Sequence, residues 1–181
     1  MIFESLPTTP RSEELLDKAF SRAARAGRSK SGLDAQQSML QTASSILADN
    51  LENVVTRWPD FGTVDPFYYE LADAIVDVDE LRQSLSEVTW ASRQVWRLRE
   101  EYQPKLRNTD ADSARKHRKQ AFARMADVVE EGAGDLERIG EARDALKHLP
   151  DIRPDEPASV VAGYPHGRQA VLRKRVPLPV N

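Results

Sequence analysis

The chain contains no cysteine among its 181 residues, so it can form neither a disulfide framework nor a metal site built on thiolates. Aromatic residues make up only 7% of the sequence. No segment approaches the roughly 18 apolar residues of a membrane span, and the N-terminus lacks the basic region of a signal peptide. These absences predict a soluble, untargeted protein of the reducing cytoplasm, with no membrane partner.

The residue patterns of hydrolytic and metal-binding proteins are also missing. His117, His148 and His166 are far apart and follow no ligand spacing such as H-E-x-x-H. Adjacent carboxylates such as Glu130 and Glu131 point in different directions on a helix, so they do not form an acid–base pair. No nucleophile motif such as G-x-S-x-G is present. The sequence therefore predicts neither a catalytic residue nor a metal site.

What the chain does have is charge and helical periodicity. Charged residues make up 30% of it, and the two signs nearly cancel to a net charge of −3. Apolar residues recur at three- and four-residue steps over long segments, and a chain of this length can bury one core. We predict an all-α fold, an antiparallel bundle of about five long helices that occupies residues 1–150.

Caps, prolines and glycines set the predicted helix boundaries. Thr9 can cap the first helix with Pro10 at its first position. The candidate caps of the third, fourth and fifth helices are Asp65, Asp77, and either Thr109 or Asp110. Gly132 and Gly134 each weaken the middle of the fifth helix by about 1 kcal/mol relative to alanine. The predicted helices run over about 10–26, 33–58, 66–76, 78–106 and 110–149.

The sequence changes character after residue 150. A linker with two prolines leads to a short apolar run rich in valine, which predicts a strand, and the last residues have neither helical nor strand periodicity. We therefore assign residues 151–181 to a linker, a short strand and an irregular tail, which together form the degenerate start of a second domain.

The strand leads into Gly163, Tyr164 and Pro165, which open like a phosphate-binding loop of the pattern G-x-x-x-x-G-K-[ST]. In that pattern a lysine contacts the phosphates and a hydroxyl residue holds Mg²⁺. The chain has Gln169 and Ala170 at those positions. We therefore interpret Gly163, Tyr164 and Pro165 as the remnant of a nucleotide site.

Basic residues cluster near the start of the fifth helix, and others gather at the end of the first, where cations favour a helix C-terminus. Cations near a helix N-terminus oppose the macrodipole, so stability does not account for the fifth-helix cluster. Phosphate contact would account for it, and a solvated helix face is the alternative. Positions 115, 118, 119 and 122 share one face of a helix. The candidate RNA-binding residues are Arg107, Arg115, Lys116, Arg118 and Lys119.

Five stretches occur in the order seen in one known family: Leu6-Pro7-Thr8-Thr9-Pro10, Asp65-Pro66-Phe67-Tyr68, Arg118-Lys119-Gln120-Ala121, Leu149-Pro150-Asp151-Ile152, and Ala162-Gly163-Tyr164-Pro165. In this combination the chain resembles the nucleolar GTP-binding protein family, the Obg-related GTPases of large ribosomal subunit assembly, and its archaeal branch most closely. The resemblance implies a helical domain that docks on pre-ribosomal large-subunit RNA and ribosomal proteins. A GTPase domain that uses GTP and Mg²⁺ would follow it.

The incomplete phosphate loop separates this chain from the family it resembles. We expect a truncated, GTPase-deficient member with no cofactor of its own, which acts as a monomeric RNA- or ribosome-docking module. The alternative is a helical protein–protein interaction module without RNA binding or catalysis, and a working nucleotide enzyme would need the missing lysine. We also expect residues 166–181 to result from a change of reading frame, with a genuine short C-terminus as the alternative.

Overall fold

The computed structural model describes residues 2–149, which contain six helices and no strand. The helices are α1 (Ser12–Arg28), α2 (Gly32–Thr56), α3 (Pro66–Asp73), α4 (Val78–Arg107), α5 (Ala111–Glu131) and α6 (Ala133–Leu146). The predicted all-α class is confirmed for this part of the chain. The predicted strand and tail, with Gly163, Tyr164 and Pro165, lie outside the described residues. None of the helices in 2–149 has the length and apolar character needed to cross a membrane.

The long helices pack side by side: α4 contacts α2, α3, α5 and α6, and α2 also contacts α1 and α5. The hydroxyl of Ser92 on α4 donates a hydrogen bond of 3.0 Å to the carbonyl of Ala48 on α2, which holds these two helices close together. The apolar stripe of each helix faces inward, and side chains such as Leu47 and Met125 are fully buried. Each such burial contributes about 1.5–3 kcal/mol, so this interior is the main source of stability.

Three predicted helix starts are confirmed by side-chain caps. A carboxylate oxygen of Asp65 accepts the backbone N–H of Phe67 at 2.8 Å, and one of Asp77 accepts the N–H of Glu80 at 2.9 Å. Asp110 caps α5 by accepting both the backbone N–H and the hydroxyl of Ser113, each at 2.9 Å. The bond from the Ser113 backbone, followed by that from its hydroxyl, lowers the pKa of the Asp110 carboxyl. These caps satisfy N–H groups that have no partner within the helix.

The predicted start of the first helix is wrong by two residues, because α1 begins at Ser12 and not at Pro10. The preceding segment is held against α6. The Nε of Arg143 donates to the carbonyl of Leu6 at 3.1 Å, and Thr9 lies beside Gly140. These tertiary contacts keep the N-terminal segment out of the helix.

The predicted fifth helix of about 40 residues is also wrong, because Gly132 divides it into α5 and α6. The number of helices is therefore six and not about five. Both pieces still run along α4, since Arg124 of α5 reaches Glu101 and Arg138 of α6 reaches Ser84. The weak helix propensity of glycine explains why the interruption falls at this residue. Elsewhere α2 ends at Thr56 and α3 at Asp73, each two to three residues before its predicted end.

Candidate nucleic-acid interface

One end of the bundle collects the end of α1, the start of α2, the end of α4 and the start of α5. The rings of Phe20 on α1 and Phe122 on α5 stack with their centroids 4.8 Å apart. Arg118 on α5 reaches Gln36 on α2, and its Nε donates to the amide oxygen of Gln36 at 2.9 Å. Residues far apart in the sequence therefore share one surface.

Charge is separated between the two ends. We call residues 20–46 and 94–129 the basic end, because they carry 13 lysines and arginines against 6 aspartates and glutamates. We call residues 2–19, 47–93 and 130–149 the acidic end, because they carry 8 basic and 20 acidic residues. The small net charge of the whole chain conceals this separation. A polyanion is attracted to the basic end and repelled by the acidic end.

Four of the five candidate RNA-binding residues are exposed at the basic end, and none of them forms an ion pair with another residue of the 2–149 range. Arg107 is the last residue of α4, and the other three lie in the first half of α5. Because no carboxylate holds these cations, a phosphate can contact them without first breaking an internal pair. The four residues are Arg107, Arg115, Lys116 and Lys119.

The fifth candidate, Arg118, has a different environment. It is half-buried, its guanidinium lies 5.0 Å from the ring centroid of Phe122, and its Nε is bonded to Gln36. Burial lowers the pKa of the Arg118 guanidinium, and the charge of Arg115 adds to this effect. Positions 118 and 122 flank the buried side of α5, next to Ala114 and Ala121. The helix face that the sequence predicts is therefore not uniform: Arg115 and Lys119 are exposed to solvent, and Arg118 lies against α2.

Arg124, one turn further along α5, is also engaged within the bundle. Its Nη1 contacts the Glu101 carboxylate at 2.8 Å and the Tyr102 hydroxyl at 3.3 Å. Lys105 approaches the same carboxylate at 3.1 Å. The bond from Lys105 and then that from Arg124 lower the pKa of the Glu101 carboxyl. These side chains join α4 to α5 and hold the exposed cations of both helices in fixed positions.

The structure adds a second group of cations that sequence reasoning did not connect to the first. It comes from the end of α1 and the loop after it, and its members are exposed and without ion pairs among the described residues. The favourable interaction of a cation with a helix C-terminus is an explanation for each of them taken alone. Their position beside the cations of α4 and α5 becomes visible only when the helices are packed. They are Arg22, Arg25, Arg28 and Lys30.

The described residues provide no metal centre, since no three of their histidine, aspartate or glutamate side chains could hold an ion. A family model described as the NOG1 N-terminal helical domain matches residues 3–153. The chain belongs to this family. The predicted resemblance to the nucleolar GTP-binding proteins is thereby confirmed, and the six helices are those of a NOG1 N-terminal domain.

The chain is also similar to individual proteins, including two that are named nucleolar GTP-binding protein 1. The NOG1 N-terminal domain described here is 29% identical over 183 residues to the uncharacterized protein MJ1408 of Methanocaldococcus jannaschii, covering 95% of this chain and 52% of that protein. It is 26% identical over 128 residues to nucleolar GTP-binding protein 1 of Drosophila melanogaster, covering 70% of this chain and 20% of the relative. The protein of the same name from Saccharomyces cerevisiae is 24% identical over 127 residues, with 69% and 20% covered. The chain thus spans about half the length of the first relative and a fifth of the other two.

Proposed function

We propose that this NOG1 N-terminal domain docks on pre-ribosomal large-subunit RNA through its basic end and has no catalytic activity of its own. The observation that carries the proposal is the set of exposed cations without ion pairs on α1, α4 and α5, all at one end of the bundle. The choice of RNA follows from the family, whose relatives are named nucleolar GTP-binding proteins. A monomeric state, a cytoplasmic location and contact with ribosomal proteins remain predictions.

Phosphate groups are the part of RNA that this surface suits. The cations lie on helices that are fixed by core packing and by the bonds of Arg118 and Arg124. Little backbone conformational entropy is therefore lost on binding. Contacts of lysine and arginine with phosphate position a protein on RNA without reading bases. We therefore expect the domain to recognise the spacing of phosphates on a folded RNA and not a nucleotide sequence.

The dependence of binding on salt tests this proposal. Each phosphate contact releases counterions, so the logarithm of the binding constant should fall linearly with the logarithm of the salt concentration. If about four of the eight exposed cations named above contact duplex RNA, we expect a slope of about −3 to −4. Fluorescence anisotropy of a labelled double-stranded RNA, titrated with the full chain at several salt concentrations, measures this slope. A slope near zero would show that the basic end does not bind phosphate.

We also propose that the chain as given binds neither GTP nor Mg²⁺. A phosphate loop needs a lysine for the phosphates and a hydroxyl residue for the metal, and Gln169 and Ala170 supply neither. Titration calorimetry with Mg-GTP should therefore show no heat of binding beyond dilution. Saturable binding at micromolar ligand concentration would refute this proposal and leave the docking proposal intact.

A further inference from the structure

A concavity of about 340 Å³ lies where α4 passes the junction of α5 and α6. Its floor is formed by small or half-buried groups, Ala91, Val128 and Gly132, and Trp90 stands beside it. The Trp90 side chain is 46% exposed, and Ile75 is the only other large hydrophobic residue of the 2–149 range that is exposed to this degree. An indole this accessible next to a recess is a surface that a partner can cover.

The interruption of the helix at Gly132 forms the recess. Gly132 has no side chain to fill the space opposite Trp90, and its backbone leaves the helical path between α5 and α6. An added methyl group at Gly132 would meet nothing closer than the carbonyl oxygen of Val129, at 3.6 Å. The space above the junction is therefore open to a ligand from solvent.

Carboxylates surround the concavity, and no lysine or arginine lines it. Glu87 and Glu131 are exposed and form no ion pair with any described residue. Asp135 contacts Arg138 at 3.4 Å, and the same Arg138 nitrogen makes a shorter bond of 2.8 Å to Ser84. The charges of Glu87 and Glu131 are therefore not neutralised by an ion pair with a described residue, which disfavours a phosphate ligand in the recess.

Three other aromatic rings among the described residues, those of Trp96, Tyr102 and Phe122, already carry a cation. The Arg99 guanidinium lies 5.0 Å from the Trp96 ring centroid, and the Lys105 ammonium lies 4.5 Å from that of Tyr102. No cation of the described residues occupies the Trp90 ring in this way. Tryptophan is the most favourable aromatic partner for a cation. Its open face, with carboxylates beside it, matches a basic side chain.

We propose that this concavity docks an extended lysine- or arginine-rich segment of a partner protein, with one cation on the Trp90 indole and neighbouring cations on Glu87 and Glu131. A metal ion is not the occupant, because no three ligating side chains of the described residues converge. The concavity lies where the acidic end meets the basic end, with Val128 on the basic side of the division and the other lining residues on the acidic side. The proposal does not depend on RNA docking at the basic end.

Binding of a labelled arginine–glycine repeat peptide to the full chain, followed by fluorescence anisotropy, tests the proposal. We expect Trp90→Leu to weaken binding by about fivefold, because it keeps apolar area but removes the ring that attracts the cation. Glu87→Gln combined with Glu131→Gln should weaken it to a similar extent. The matched controls are Ile75→Ala, which removes the other exposed apolar side chain, and Glu70→Gln with Asp79→Asn, which removes two exposed charges elsewhere at the acidic end.

Several results would overturn the proposal. Equal losses for the site variants and their controls would mean that the peptide responds only to general negative charge. Equal or tighter binding of a glutamate–glycine peptide would exclude a basic partner. Self-association of the chain in sedimentation, abolished by Trp90→Leu, would make a second copy the occupant. Circular dichroism of each variant confirms that the helices are intact.

Discussion

Replacing Arg107, Arg115, Lys116 and Lys119 together by glutamate is expected to weaken binding of the full chain to double-stranded RNA by more than about a hundredfold near 0.1 M salt. All four side chains are exposed, and none forms an ion pair with another described residue. The substitutions therefore remove phosphate contacts without breaking internal ones. Each lost contact also forfeits the release of a counterion, so the salt slope should fall along with the affinity. Fluorescence anisotropy measures both quantities.

A second fourfold variant provides the control for total charge. Arg11, Arg57, Arg82 and Arg93 are exposed and belong to the acidic end, so their replacement by glutamate changes the net charge by the same amount. We expect this variant to lose far less affinity, because the docking proposal places the RNA at the basic end. If both variants lose affinity equally, long-range charge and not the basic end governs binding. Thermal unfolding must show that both variants are folded.

Arg118→Ala is expected to lower the free energy of unfolding by about 2 kcal/mol. The substitution leaves the amide oxygen of Gln36 without its donor, and Gln36 is only 8% exposed. It also removes the guanidinium from the Phe122 ring, and this ring stacks on Phe20. Urea unfolding followed by circular dichroism should show a lower midpoint with an unchanged slope.

Lys119→Ala is the control for that experiment, since the Lys119 side chain is exposed and forms no hydrogen bond or ion pair with a described residue. Its stability should stay within about 0.5 kcal/mol of the unmodified chain. In RNA binding the order of the two effects should be reversed: Lys119→Ala should reduce the salt slope, and Arg118→Ala should leave the slope nearly unchanged. If Arg118→Ala matches Lys119→Ala in both assays, the position of Arg118 between α5 and α2 has no structural importance.

The helix boundaries show how far the sequence predicts the structure. Apolar periodicity and caps depend on neighbours within a few residues, so the all-α class and the caps at Asp65 and Asp77 follow from the sequence alone. For α5 the sequence leaves Thr109 and Asp110 as alternatives, and the structure shows Asp110 as the cap. The later start of α1 depends on Arg143 and Gly140 of α6, more than 130 residues away. The sequence contains no local sign of that contact.

The basic end illustrates the same limit for function. A helical projection places positions 115, 118, 119 and 122 together, but it does not show which edge of that face meets another helix. Packing against α1 and α2 buries the Arg118 edge, because Ala114 and Ala121 allow α5 to approach closely. The cations at the end of α1 join the surface only through the antiparallel arrangement. The sequence shows that basic residues cluster near the start of α5, but not which of them are exposed or which cations of other helices lie near them.

The distance between Trp90 and Arg107 along α4 determines whether charge bound at one proposed site affects binding at the other. Seventeen residues of helix separate them, which corresponds to about 25 Å. The Debye length at physiological ionic strength is about 8 Å, so ions in solution attenuate the field of either end over about three such lengths. If both proposed sites are occupied, the electrostatic part of the coupling free energy between them is therefore expected to be close to zero. On these two proposals the domain would hold an RNA and a basic protein segment at a fixed separation, and each would bind and dissociate independently of the other.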